Sequence, residues 1–253
     1  MTDTMRALNS DELRAWVPPY LPCIISDNIL VRGTKMLLFG KAGSWKSNLT
    51  IQMGYSIANG LNWFGYPTFK NIVYILQAEI PQIMVKERIE KFTANNYDSP
   101  NLHICTASYS KLDKGFGIAS LRKDLERTHA KLLIVDPLYK FISGKLTDER
   151  DMMEFFDRID ILAGELGLTT IIVHHPRKGI TSDGGIVDMG SDEMYGTYVQ
   201  NWADTIIRTD YDEQGSILTL IFSKVRHAQK DILPISIKIN KDKLTYTKVN
   251  PLT

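Results

Sequence analysis

One short segment has the residue types and spacing to handle phosphate. Gly40-Lys41-Ala42-Gly43-Ser44-Trp45-Lys46-Ser47-Asn48 carries two glycines, a lysine and a hydroxyl in order. Glycines let a backbone wrap an anion, and the N–H groups of the loop and of a helix amino end bind it. In the pattern G-x-x-x-x-G-K-[ST] the lysine reaches the β and γ oxygens of a nucleotide and the hydroxyl ligates magnesium. Lys46 and Ser47 would take those parts, with ATP and Mg2+ as the expected ligands. Trp45 stands where the pattern has its second glycine. If that position needs a positive φ, a bulky residue is costly there, and Gly43 is the alternative carrier of the bend. An ordinary glycine-rich turn into a helix would read the same from this segment alone.

Hydrolysis needs more than a phosphate loop. Asp136 directly follows the apolar run Leu132-Leu-Ile-Val135, where a carboxylate at a strand end can hold magnesium. Glu79 closes Tyr74-Ile-Leu-Gln-Ala-Glu79 in the same way and could polarise water as a general base. Either carboxylate would also suit a helix start. His174 and His175 end another apolar run and could sense a γ-phosphate by hydrogen bond. Zinc is a weaker use, because no further Cys or His lies at ligand spacing.

These residues must be positioned by elements that the pattern also reveals. Four short, nearly continuous apolar runs read as strands buried on both faces: 35–39, 71–76, 131–135 and 169–173. Helical patterns lie between them at 47–59, 80–95, 118–128 and 149–166. The last carries Met152, Phe155, Phe156, Ile159, Leu162 and Ala163 on one stripe. Pro81 suits the first turn of the second helix. Strand alternating with helix predicts an α/β fold with a mostly parallel sheet. Segments 216–223, 232–239 and 243–248, with a turn at 240–243, predict an antiparallel extension at the sheet edge. Residues 1–27 read as a lead-in with a short helix near 10–16, and residues 28–253 as one domain. Segment 177–196, rich in Gly, Asp and Ser, reads as a long functional or disordered loop.

The 253 residues are 43% hydrophobic and 23% charged, within the globular range. Lys and Arg number 30 against 29 acids, which excludes a blanket of positive charge but not a local basic loop. Two cysteines, Cys23 and Cys105, make no disulfide framework and fit a reducing, cytoplasmic setting. No run reaches the roughly 18 apolar residues of a membrane span, and the amino terminus lacks the pattern of a signal peptide.

In this order the motifs resemble those of RecA-like P-loop ATPases, most nearly the RepA-type hexameric replicative helicases and more distantly the DnaB-like ring helicases. The parts are Gly40 to Ser47, Tyr74 to Glu79, Leu132 to Leu138, the helix from Asp148, Val173 to Lys178, Gly190-Ser191 and Ser223-Lys-Val-Arg226. The resemblance covers roughly residues 30 to 230. It implies Glu79 as catalytic base, Asp136 as magnesium ligand and one histidine, His175 rather than His174, as γ-phosphate sensor. Lys224 and Arg226 match a Lys-x-Arg pair that reaches a neighbouring subunit's ATP, its arginine acting as a finger in trans. The active species would then be a homo-oligomer, a ring commonly of six or a helical filament.

The same resemblance implies single-stranded DNA as partner, contacted by two loops. Lys140, Lys145 and Arg150 lie in the first, Arg177 and Lys178 in the second. Phe141 and Tyr195 are the candidate stacking residues, while Asp183, Asp188, Asp192 and Glu193 oppose a strong interaction. Other readings stay open. A RecA-like recombinase or mediator would use ATP as a switch. A nucleotide-binding regulator would have its turnover weakened by Trp45. A small-molecule kinase would need lid arginines, for which only Arg177 offers itself.

Overall fold

A computed structural model describes residues 7–17, 22–94, 98–106, 110–146, 148–175, 181–182, 185–186 and 198–249. In chain order the elements are α1 (Ser10–Ala15), β1 (Cys23–Ile25), β2 (Leu30–Val31), β3 (Lys35–Gly40), α2 (Lys46–Asn59), β4 (Val73–Gln77) and α3 (Gln82–Phe92). There follow β5 (Leu102–Thr106), α4 (Gly115–Thr128), β6 (Leu132–Asp136), α5 (Leu138–Phe141), α6 (Glu149–Leu166) and β7 (Thr169–His174). The last are β8 (Thr181–Ser182), β9 (Gly185–Ile186), β10 (Thr205–Asp212), β11 (Ile217–Val225), β12 (Ile235–Asn240) and β13 (Thr245–Val249).

Nine strands form one sheet in the order β13-β12-β11-β10-β3-β7-β6-β4-β5. From β10 to β5 the pairings are parallel, and β10 to β13 continue as an antiparallel meander. Side chains alternate across a strand, so each buried strand feeds two cores. Met36, Leu38, Val73, Ile75, Leu132, Ile134, Ile171 and Val173 pack with α2 and α3. Leu37, Phe39, Tyr74, Leu76, Leu133, Val135 and Ile172 face the other way, against α4, α5 and α6. The α6 stripe buries Met152, Phe155, Phe156, Ile159 and Leu162. Asp148 caps its first turn, and Gly167 ends it in the left-handed region.

The parallel sheet and the antiparallel edge match the sequence reading. Two strands of the large sheet escaped it, β5 and β10, the latter directly beside the P-loop strand, as did the two short pairs β1-β2 and β8-β9. The second helix starts later than its pattern suggested, because Pro81 is its extended N-cap residue and not part of its first turn. Ile24 and Ile25, assigned above to the lead-in, are fully buried in the main core. In α1 the pattern holds, with Asn9 and Glu12 forming a capping box and no residue buried. No helix of the described residues is long and apolar enough to cross a membrane.

Candidate active site

The turn between β3 and α2 wraps tightly. Gly43 takes φ 79° and Trp45 takes φ 61°, so both carry the bend and Gly43 does not replace the missing glycine. Left-handed backbone costs an L-residue about 1–2 kcal/mol. Packing offsets that cost: the half-buried indole rests on the main core, edge-on to Tyr211 of β10 at 6.3 Å. Gly40 is fixed by close approach, since a Cβ there would meet the Thr209 carbonyl at 2.6 Å. Thr209 in turn donates to the Phe39 carbonyl and lies 3.0 Å from the Ser44 hydroxyl. The unforeseen strand β10 therefore forms one wall of the loop.

At the start of α2 no side chain caps the first turn and no acid occupies it. Its free N–H groups and positive end favour an anion. Lys46 is buried, and its ammonium donates to the Gly40 and Lys41 carbonyls at 2.7 Å each and to the Ser44 hydroxyl at 3.2 Å. Desolvation pulls its pKa down to about 8, against the pull of Asp136 and Glu79. Phosphate oxygens entering the loop would replace these bonds and restore a charge partner.

Asp136 ends β6 fully buried, and burial pushes its pKa up to about 6 despite the Ser47 and Thr50 hydroxyls beside it. Thr50 donates to Oδ2 at 3.2 Å, whereas Oδ1 has no well-formed hydrogen bond. A buried carboxylate oxygen left open beside the Ser47 hydroxyl suits a hard divalent cation, which takes oxygen ligands. Among the described residues no cluster of three or more His, Cys, Asp or Glu offers an alternative metal site.

A cleft of about 260 Å3 gathers the rest, lined by the loop, Asn48, Glu79, Ile80, Arg88 and His175. Glu79 is exposed just beyond β4, with its carboxylate Oε1 accepting the Tyr139 hydroxyl. The Tyr139 ring lies edge-on to His175 at 5.7 Å, so one tyrosine links both groups. His175 is partly buried and its ring nitrogens have no hydrogen bond among the described residues. Burial lowers its pKa, and nearby Lys46 lowers it further. His174 is different: it lies inside β7 opposite Phe39, and burial drops its pKa to about 4. The pair therefore separates into one buried strand residue and one cleft residue.

Ile80 and Arg88, which line the cleft, and Tyr139, which borders it through Glu79 and His175, escaped the sequence reading. Arg88 of α3 reads as a solvent-face charge, yet it lies beside the buried stripe of Val85 and Ile89 and turns into the cleft. Its place next to Ile89 on that stripe was the available signal. Tyr139 sits in a four-residue helix too short to show a period.

Lys224 and Arg226 do not join this cleft. Val225 pairs with Thr205, which pairs with Met36 near the start of β3, whereas Gly40 at the far end of β3 opens the loop. Four strand residues separate the two levels by roughly 13 Å. Lys224 donates to the Gln200 and Ala203 carbonyls at 2.8 and 2.6 Å, and Arg226 pairs with Asp204 at 2.7 Å.

Of the basic residues assigned to DNA, Lys140 lies over the Tyr139 ring, and Lys145 and Arg150 are exposed after β6, on the same sheet edge as the cleft. Phe141 is fully buried and unavailable for stacking, a correction caused by the apolar face of α5 packing into the core. Arg177, Lys178, Tyr195 and the loop's acids lie outside the described residues.

A P-loop opening the helix after a central parallel strand, with Asp136 two strands away, defines the RecA-like class of P-loop ATPases. A family model described as an AAA domain matches residues 2–180, and the chain belongs to that family. Among solved structures, the ATPase domain of G40P superposes with a TM-score of 0.63 at 13% identity, over 87% of this chain and 86% of that one. A KaiC-like protein from the hyperthermophilic archaeon Pyrococcus horikoshii OT3 gives 0.60 at 15% identity, over 87% and 91%. A DnaB-like replicative helicase, described with its interactions with primase, gives 0.63 at 14% identity, over 87% and 59%. No curated protein matches the chain in sequence.

Proposed function

We propose that this chain is a Mg2+-dependent, ATP-hydrolysing motor that acts on single-stranded DNA as a head-to-tail oligomer, a replicative helicase of the RepA type. The observation that carries this reading is the separation of the parts. Lys46, Glu79 and His175 line one cleft, while Lys224 and Arg226 sit at the opposite end of the same sheet. At that distance Arg226 does not reach its own loop, which supports a role at the nucleotide of another copy.

Lys46 and the first amides of α2 bind the β and γ phosphates. Ser47 and Asp136 would hold magnesium, which supplies charge neutralisation on those phosphates when bound. Glu79 accepts a proton from the attacking water, with Tyr139 fixing one of its oxygens and leaving the other for the water. His175 donates to the γ-phosphate and relays its loss to the segment that follows. Arg88 adds a second cation to the cleft. Lys140, Lys145 and Arg150, with Arg177 and Lys178, carry the strand contact through its phosphates. The working unit is the domain from residue 28 together with β1, preceded by a lead-in, in a ring commonly of six or a filament, and the cytoplasm suits it.

The test is steady-state ATP hydrolysis with and without single-stranded DNA at low salt. Stimulation by DNA followed by strand displacement is expected. Clear turnover indifferent to DNA would refute the motor, and ATP-dependent strand exchange without displacement would favour a recombinase. A second reading, a regulator with weak turnover, is favoured by the strained Trp45 and by the folding of Lys46 onto its own loop. It predicts tight ATP binding with almost no product.

A further inference from the structure

Asp204 lies between the helical segment 198–202 and β10, and it is only 8% exposed. Its backbone N–H donates to the Lys35 carbonyl at 2.8 Å, and its carbonyl accepts the Arg226 N–H at 2.9 Å. The carboxylate repeats the pattern. Oδ2 accepts the Lys35 N–H at 3.1 Å, and Oδ1 accepts Arg226 Nη1 at 2.7 Å. One residue thus joins the first residue of the P-loop strand to the guanidinium at the end of β11.

We propose that Asp204 is a positioning residue that holds the Arg226 guanidinium in place for the nucleotide of a neighbouring copy. This rests on the trans reading given above. With one carboxylate oxygen fixed by the Lys35 amide, the other has a set direction in which to accept Arg226. A guanidinium carries five N–H donors in a rigid fork, and Asp204 accepts one of them, from Nη1. The Arg226 side chain stays half exposed, at 50%, so the remaining donors are open to an incoming phosphate. A free arginine at a sheet end would sample many rotamers, and fixing it only at the moment of reaction would cost entropy.

The structure also divides the basic pair. The Lys224 ammonium donates to the Gln200 and Ala203 carbonyls at the end of segment 198–202, a helix-terminal position that favours a cation. That segment is further fixed by Trp202, whose indole donates to Asp160 at 2.9 Å and packs on Phe156 at 4.4 Å. Asp160 also pairs with the Lys35 ammonium at 2.7 Å. Lys224 therefore secures the platform on which Asp204 stands, and Arg226 is the cation left for the neighbour.

The experiment mixes two inactive proteins. K46A subunits lack their own turnover but keep a finger, whereas R226A subunits keep a site but lack a finger. Their one-to-one mixture should recover turnover, because K46A donors complete R226A sites. Adding Asp204→Ala to the K46A donor should cut that recovery at least fivefold. Adding the same change to the R226A receiver should leave it within twofold, because that subunit has no finger to position. Asp204→Asn in the donor has one acceptor oxygen for two donors, the Lys35 N–H and Arg226, so it should lose part of the recovery but less than Asp204→Ala, and it serves alone if the alanine variant does not fold. Equal losses in donor and receiver would mean that Asp204 only supports the sheet end and would overturn the proposal, as would no loss in either. Absence of recovery in the parent mixture would remove the trans reading and this proposal with it, an outcome distinct from a donor-specific loss.

Discussion

At the carboxyl end of the parallel strands, charged groups are buried and poorly compensated. Lys46 is held near a pKa of 8 and Asp136 near 6, both shifted toward neutrality by desolvation, and Trp45 is kept in left-handed backbone. At the amino end of the same strands, Asp204 and Arg226 form an ion pair at 2.7 Å, and Asp204 also accepts the Lys35 N–H at 3.1 Å. The first end has what an anionic, metal-bearing ligand would repair. The second is complete and presents a fixed cation outward. On the proposed reading, stability is lowered where a ligand enters and rigidity is placed where a neighbour is met.

Four substitutions test this contrast, in descending order of effect. Lys46→Ala removes the central cation of the loop and should lower ATP turnover by roughly a hundredfold or more, the scale of losing one fixed charge-stabilising donor. Retained turnover would show that the loop does not carry the reaction. Glu79→Gln should keep nucleotide binding and lower the single-turnover rate at least about tenfold, the low end for a lost general base. A rate equal to the parent would remove Glu79 from the chemistry.

Asp136→Asn should stabilise the ligand-free protein while abolishing stabilisation by Mg–ATP. The folded pKa of Asp136, near 6, exceeds its ordinary value of 3.8. Its contribution to stability is therefore complete below pH 4 and lost as pH rises through 6. The advantage of asparagine should be absent near pH 4, grow through pH 6 and level off by pH 7, at about 1–3 kcal/mol. Thermal unfolding across that range would expose a pH-independent difference, which would contradict it. Trp45→Gly should change least. Relief of about 1–2 kcal/mol of backbone strain nearly offsets the lost packing of a half-buried indole, leaving a net loss of about 1 kcal/mol. Turnover rising more than tenfold in this variant would favour the regulator reading instead.

The sequence exposed those parts whose burial is simple. β3, β4, β6 and β7 are apolar on both faces, so Asp136 and Glu79 could be read as carboxylates at strand ends. β5 was hidden because its residues are only half-buried at the sheet edge. β10 was hidden because it turns polar after Ile207, where Arg208, Thr209 and Asp210 serve the loop wall and the surface. Asp204, Arg88 and Tyr139 act through tertiary contacts that no local period encodes. Phe141 misled for the converse reason: an aromatic beside basic residues looks like a platform until its helix face is known.

The central claim is that the two ends meet across a subunit boundary. The most direct measurement titrates the double variant Lys46→Ala/Arg226→Ala, which lacks both its own site and its finger, into wild type at constant total concentration and follows ATP turnover. A composite site predicts a curve falling well below simple dilution, because each altered subunit also silences its neighbour's nucleotide. A strictly proportional fall would mean that each copy completes its own site, and the account would be wrong.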